Sequence, residues 1–204
     1  MKYYKLTNQN METHGGFQWQ IGKQEEIKTK GGDLCSKDFF HCYNNPLLAV
    51  LLNPIHADIP EPRIFSIDVG GESRNDNGLK FGFKKMTLVK ELTLPTITNT
   101  NKVAFVIYFV LEIYKDPQFV TWATNWLTTP DRSAKAPYTT ASHAAPQAAA
   151  YAARTAAAAA HVNATVSYAT SATRATAYAA YAAAAYATNN IDLIGLAEKA
   201  MQIV

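Results

Sequence analysis

The chain has 204 residues, of which 48% are hydrophobic and 17% charged, a balance that places it among globular proteins rather than disordered ones. Its formal charge of +3 is thinly spread, with 14 bases against 13 acids in residues 1–130 and 5 against 3 in residues 131–204, so the basic stripe expected of a nucleic-acid binder is missing. The longest strongly apolar run, Val103 to Ile113, holds 11 residues and includes Glu112, against the roughly 20 needed to cross a bilayer, so no membrane span is expected.

The first segment, Met1-Lys2-Tyr3-Tyr4-Lys5-Leu6-Thr7-Asn8, lacks the apolar stretch of a secretory signal. Residence in a cytosol, a host cytosol on the reading below, is therefore the expectation, with Cys35 and Cys42 as reduced thiols. Tyr3 to Leu6 is the first candidate strand. Phe17-Gln18-Trp19-Gln20-Ile21 alternates apolar and polar residues with period two, predicting a strand with one buried face that ends at Gly22-Lys23. Asn45 followed by Pro46-Leu47-Leu48-Ala49-Val50-Leu51-Leu52 predicts a short buried helix that stops near Asn53-Pro54. Arg63 to Val69 and Met86 to Leu94 alternate again, the first bounded by Gly70-Gly71 and the second by Pro95.

Asn101 to Tyr114 is a continuous apolar run whose length favours a buried helix. After it, Asp116 can cap, Pro117 suits the first helical position, and Phe119, Trp122, Ala123 and Trp126 fall at i, i+3, i+4 and i+7 on one face. From Ser133 to Asn190 the chain has no acid, three bases (Lys135, Arg154, Arg174), and alanine at close to every second position. Pro137 and Pro146 would confine uninterrupted helix to Gln147 onward, and His161-Val162-Asn163 would divide it into helices near 147–160 and 164–187. Asn189-Asn190 would cap a last helix with Leu193, Leu196, Ala197, Ala200, Met201 and Val204 on one stripe. An alanine buries about one methyl, roughly 0.8 kcal/mol, against ~1.5–3 kcal/mol for leucine or phenylalanine. Such helices gain mainly by close approach to another surface, with Tyr151, Tyr168, Tyr178, Tyr181 and Tyr186 filling the core or lining a contact, Arg154 and Arg174 beside them. That surface belongs to the rest of the chain, a second copy or another protein.

Leu34 to Leu47, with Phe40, His41 and Pro46, resembles a bacteriophage and prophage domain family of unknown function that carries a Gly-Phe-His-x-Cys-x-x-Pro motif. Phe39 stands at the motif's glycine, Tyr43 at its cysteine, with Cys42 one place early, and Ile67-Asp68-Val69-Gly70-Gly71-Glu72 is similar to a later element of the family. The resemblance spans about residues 1–95 and implies a phage-encoded protein of the host cytoplasm, or of the virion. Trp122-Ala123-Thr124-Asn125-Trp126-Leu127 ahead of Ala149-Ala150-Tyr151-Ala152-Ala153 resembles alanine-rich immunity-protein domains, which implies binding and neutralising another protein.

Two chemical readings compete with that binding role. Cys35, His41, Cys42 and His56 have metal-ligand composition, but Cys-x6-Cys with a histidine 14 residues later lacks the paired spacing of a zinc knuckle. Buried thiols and a hydrogen-bonded core histidine explain them as well, and no cofactor is expected. Tyr4, His41 and Glu91 on successive elements follow the order of an ADP-ribosyltransferase-like fold, whose late glutamate would stabilise a ribosyl cation. Neither a Ser-Thr-Ser element nor a Glu-x-Glu pair accompanies them, and Glu91 fits a solvent-facing strand residue equally. No Walker loop, Gly-x-Gly-x-x-Gly, His-Glu-x-x-His or Gly-x-Ser-x-Gly occurs. The sequence therefore predicts an α+β fold. Residues 1–100 would form an irregular mixed or antiparallel sheet with a short helix, and residues 101–204 a helical, alanine-rich layer. The role expected is a non-enzymatic phage accessory protein that binds a protein, itself or a host defence or toxin component. An ADP-ribosyltransferase-like or nucleotide-binding protein and a virion component are the alternatives.

Overall fold

In a computed structural model of the chain, the described residues are 1–130 and 191–204. They divide into two units, Met1–Thr96 and Ile97–Val204. The expected helices near 147–160 and 164–187, the five tyrosines from Tyr151 to Tyr186, Arg154 and Arg174 lie outside the described residues.

In the first unit the alternating segments become strands. β1 (Tyr3–Thr7) is followed by the short pair β2 (Glu12–Thr13) and β3 (Phe17–Gln18), joined through a turn at His14–Gly16. The predicted five-residue strand from Phe17 stops after two: Trp19 is buried, while Phe17 and Ile21 are exposed, and Ile21 makes only an isolated parallel bridge to Leu88. The three residues do not share one buried face because Trp19 turns into the sheet's core, its backbone N–H held by Met11 O at 2.9 Å. β4 (Gln24–Glu26) and β5 (Phe40–Cys42) then pair antiparallel with the same edge of β7 (Phe81–Leu92), whose other edge carries β6 (Arg63–Asn75).

β6 does not end at Gly70-Gly71 as the pattern suggests. It continues to Asn75 through a register shift between Gly70 and Ser73, where Gly71 takes φ 77°. A bulge absorbs the extra residue and only glycine adopts that backbone without strain. The hairpin to β7 turns at Asn77-Gly78, both left-handed, the pairing that suits a tight hairpin. β1 pairs with β6 on one side, and on the other Tyr4 and Tyr43 exchange two backbone hydrogen bonds of 2.8 and 2.9 Å. That bridge closes the ring β1–β6–β7–β5 upon itself, around Trp19, Phe40, Cys42, Phe65, Ile67, Phe81, Phe83, Met86 and Leu88.

Helix α1 (Pro46–His56) packs against β1. Asn45 caps it by accepting from the backbone N–H of Leu47 and Leu48, and Pro46 occupies the first turn as expected. The helix runs past Pro54, because the proline lies in the last turn and forfeits only its own donor. Asn53, 8% exposed, closes the end by donating to Ile59 O at 2.9 Å and accepting from Ile59 N at 3.1 Å.

In the second unit α2 (Asn99–Ile113) starts at a reciprocal cap between Thr98 and Asn101, and α3 (Pro117–Thr128) at Asp116, which accepts from Phe119 N. Phe119, Trp122, Ala123 and Trp126 are buried along α3, as their spacing requires. The last helix, α4 (Leu193–Met201), is capped by Asp192 rather than by the asparagines before it, since the Asp192 carboxylate accepts from Gly195 N at 2.9 Å. Leu193, Leu196, Ala197 and Ala200 are buried on its stripe, whereas Val204, past the helix end, is fully exposed. The buried Asn101 amide donates to Ala200 O and Ile203 O, so α2 caps the C-terminus of α4. The described architecture is mixed α+β, an antiparallel sheet with several helices, and none of its helices is long and apolar enough to cross a membrane.

Candidate functional site

A cavity of 490 Å³ opens in the first unit, between β1, the turn before β3, the 35–39 loop, β5, the end of α1 and the start of β7. Close backbone approach places the loop: a Cβ at Gly82 would lie 2.8 Å from Phe39 Cβ, so only glycine lets β7 pass there. The loop is also pinned by Lys84. This lysine, 5% exposed, donates to Gly31 O and Asp38 O at 2.7 Å each, to Thr29 Oγ1 at 3.5 Å, and sits 4.1 Å from the centre of the Phe39 ring. All three of its N–H groups have protein acceptors, which is how a buried ammonium is made tolerable.

The lysines of the cavity are satisfied differently. Lys5 and Lys80 are each 7% exposed. Lys5 Nζ donates to His41 O at 2.8 Å and Lys80 Nζ to Cys35 Sγ at 3.0 Å. Each therefore makes one hydrogen bond, and neither has a carboxylate partner among the described residues, whose ion pairs join other side chains at the surface. No Asp or Glu lines the cavity. Cys42 cannot serve as counter-charge to Lys5, because burial pushes its thiol up to about 12, while burial pulls the Lys5 ammonium down to about 8. Where Lys5 is charged, Cys42 is neutral. The Trp19 ring, 5.2 Å from Lys5 Nζ, favours the ammonium but does not outweigh its loss of water.

Two histidines of the cavity, His41 and His56, resist protonation. Burial, followed by the charges of Lys5, Lys80 and His14, holds His41 down to about 4 against the opposing hydrogen bond to Leu34 O. His56 is likewise pulled down to about 4 by burial, then by Lys80 and His41. Its ring stacks on Tyr43 at 5.8 Å, and the Tyr43 hydroxyl lies 3.0 Å from His56 Nδ1. Burial raises Tyr43 well above the ordinary tyrosine range, so the hydroxyl keeps its proton. The cavity is thus supplied with donors and positive charge. Phe17, Phe39, Phe40, Ile27 and Ile59 supply its apolar lining.

Of the residues singled out by sequence, Cys35, His41 and His56 do come to this cavity, while Cys42 faces the sheet's core and is fully buried. No group of three or more metal-ligating side chains converges among the described residues. Tyr4 holds Tyr43 through its backbone. Glu91 is outside the cavity lining, gripped by Arg63 through Nε at 2.8 Å and Nη2 at 2.6 Å. Sequence reasoning missed Lys5, Lys80 and Phe17. Lys5 lies in an alternating strand where a lysine reads as the solvent face, and no spacing signals Lys80.

A domain of unknown function, described as Domain of unknown function (DUF7666), covers residues 1–100, the part of the chain that holds the cavity. No curated protein matches the chain, and no solved structure matches it.

Proposed function

We propose that the N-terminal unit is a binding module for a small anionic ligand, held in the cavity by Lys5 and Lys80. The observation that carries this reading is the contrast among three buried lysines: Lys84 spends every N–H on the protein, whereas Lys5 and Lys80 each spend one and lack a carboxylate. A buried unpaired charge is costly, and function is the usual reason for keeping one. A transferase reading draws no comparable support, since Glu91 is committed to Arg63. Calorimetric titration of the full chain with inorganic phosphate tests the proposal. Saturable one-to-one binding that falls tenfold or more in Lys80→Met, with the amide exchange of β6 and β7 unchanged, supports it; absence of binding at tens of millimolar phosphate removes it.

The composition of residues 133–190 favours a second role for the chain as a whole. A tract without acids, with 3 bases and many alanines and tyrosines, gains most from docking on another surface, and the resemblance to phage and immunity-protein domains makes that surface another protein, in a host cytoplasm. Single leucine substitutions at Ala172, Ala175, Ala179 and Ala182 test this. Loss of self-association or partner association at one face, without a lower melting temperature, is the result expected; uniform tolerance refutes it.

A further inference from the structure

We propose that the ligand of this cavity is an aromatic monophosphate, a nucleoside monophosphate or another aryl phosphate, with its ring laid on Phe17 and its phosphate between Lys5 and Lys80. The inference rests on the anion-binding reading and adds the ligand's second half.

The cavity is too large for an anion alone. Its 490 Å³ is roughly 16 times the ~30 Å³ share of a liquid water, and it falls in the range of about 300–1,000 Å³ typical of small-molecule sites. Part of the lining is aromatic. Phe17, Trp19 and Phe40 form a mutual cluster with centroid separations of 5.0, 5.4 and 5.0 Å. Trp19 and Phe40 are buried, at 2% and 9%, whereas Phe17 is 37% exposed and lines the cavity. A ring fixed by two others on one side and open on the other is a stacking platform, able to take any flat π-system. The chain entering it, His14-Gly15-Gly16, has both glycines left-handed, at φ 71° and 74°, with nothing within 4 Å of a would-be Cβ.

The polar end favours phosphate over carboxylate. Lys5 and Lys80 have two unspent N–H groups each. Three terminal phosphate oxygens accept such a set more completely than two carboxylate oxygens. Both lysines line the same cavity.

Titrating the full chain with AMP, phenyl phosphate, ribose 5-phosphate, adenosine and inorganic phosphate decides the matter. The two ring phosphates should bind at least tenfold tighter than inorganic phosphate and ribose 5-phosphate, and adenosine more weakly than AMP. In Phe17→Ala, a change at an exposed position, that tenfold advantage should vanish while inorganic phosphate affinity holds within twofold, and Phe17→Tyr should retain it. AMP far above phenyl phosphate assigns a nucleotide; equal affinity assigns aryl phosphates generally. Ring phosphates no tighter than inorganic phosphate, adenosine equal to AMP, or Phe17→Ala weakening every ligand alike overturns the inference while leaving an anion site in place. Failure of all five to bind overturns both.

Discussion

Replacing Lys5 with methionine should not destabilise the sheet, although it deletes a buried, hydrogen-bonded side chain. Burial lowers the Lys5 ammonium from 10.5 to about 8, which at about 1.36 kcal/mol per pH unit disfavours the folded charged form by about 3 kcal/mol at neutral pH. Methionine removes that penalty and fills most of the space. Against it stands the lost bond to His41 O, worth about 1.5–3 kcal/mol for a charged donor, so the two changes leave the variant within about 1.5 kcal/mol of wild type. The pH dependence follows from the direction of the shift. The unfolded chain binds the proton more tightly than the folded one, so the destabilisation is complete below about 8 and is relieved as pH rises towards 10.5. Cys42 and Tyr43, both raised by burial, oppose that trend, so the difference between wild type and variant isolates Lys5. Amide exchange of β6 and β7 in the full chain reads the opening free energy of this unit. A loss beyond about 2 kcal/mol, or a difference that stays flat between pH 8 and 10.5, would refute the reasoning.

Lys84→Met is the opposite case: two hydrogen bonds of 2.7 Å to Gly31 O and Asp38 O disappear, and a cost of about 2–4 kcal/mol is expected by the same exchange measurement. Acid should also loosen the unit. His41 and His56 are held down to about 4, below their ordinary value near 6.5, so the folded state resists protonation and stability falls as pH drops from about 6.5 to 4, by up to about 3 kcal/mol for each. His56→Gln should flatten its share of that fall; an unchanged acid limb in the variant would contradict the assignment.

The sequence was informative where local chemistry decides structure. Asp116-Pro117 and the 119, 122, 123, 126 spacing read as a capped amphipathic helix because cap, proline and stripe all act within a few turns. Gly70-Gly71 read as a break because glycine weakens strands, yet here the pair hosts a bulge fixed by pairing with β7 across the hairpin, Gly70 opposite Lys85 and Ser73 opposite Phe83. The cavity was half legible. Cys35, His41 and His56 drew notice as reactive residue types, but the burial of Lys5 and Lys80 follows from closure of the sheet through Tyr4 and Tyr43, a long-range pairing that no periodicity announces. Phe17 alternates with Trp19 and so reads as a core residue; its partial exposure arises only once β3 ends after Gln18.

If an anion supplies the counter-charge that Lys5 lacks, the proton affinity of the Lys5 amine reports it directly. Titrating selectively labelled lysine amines by NMR, without and with saturating inorganic phosphate, the account predicts a Lys5 midpoint near 8 that climbs by about one pH unit or more when the anion binds, since a nearby negative charge favours the ammonium. A midpoint that phosphate leaves unmoved would contradict it.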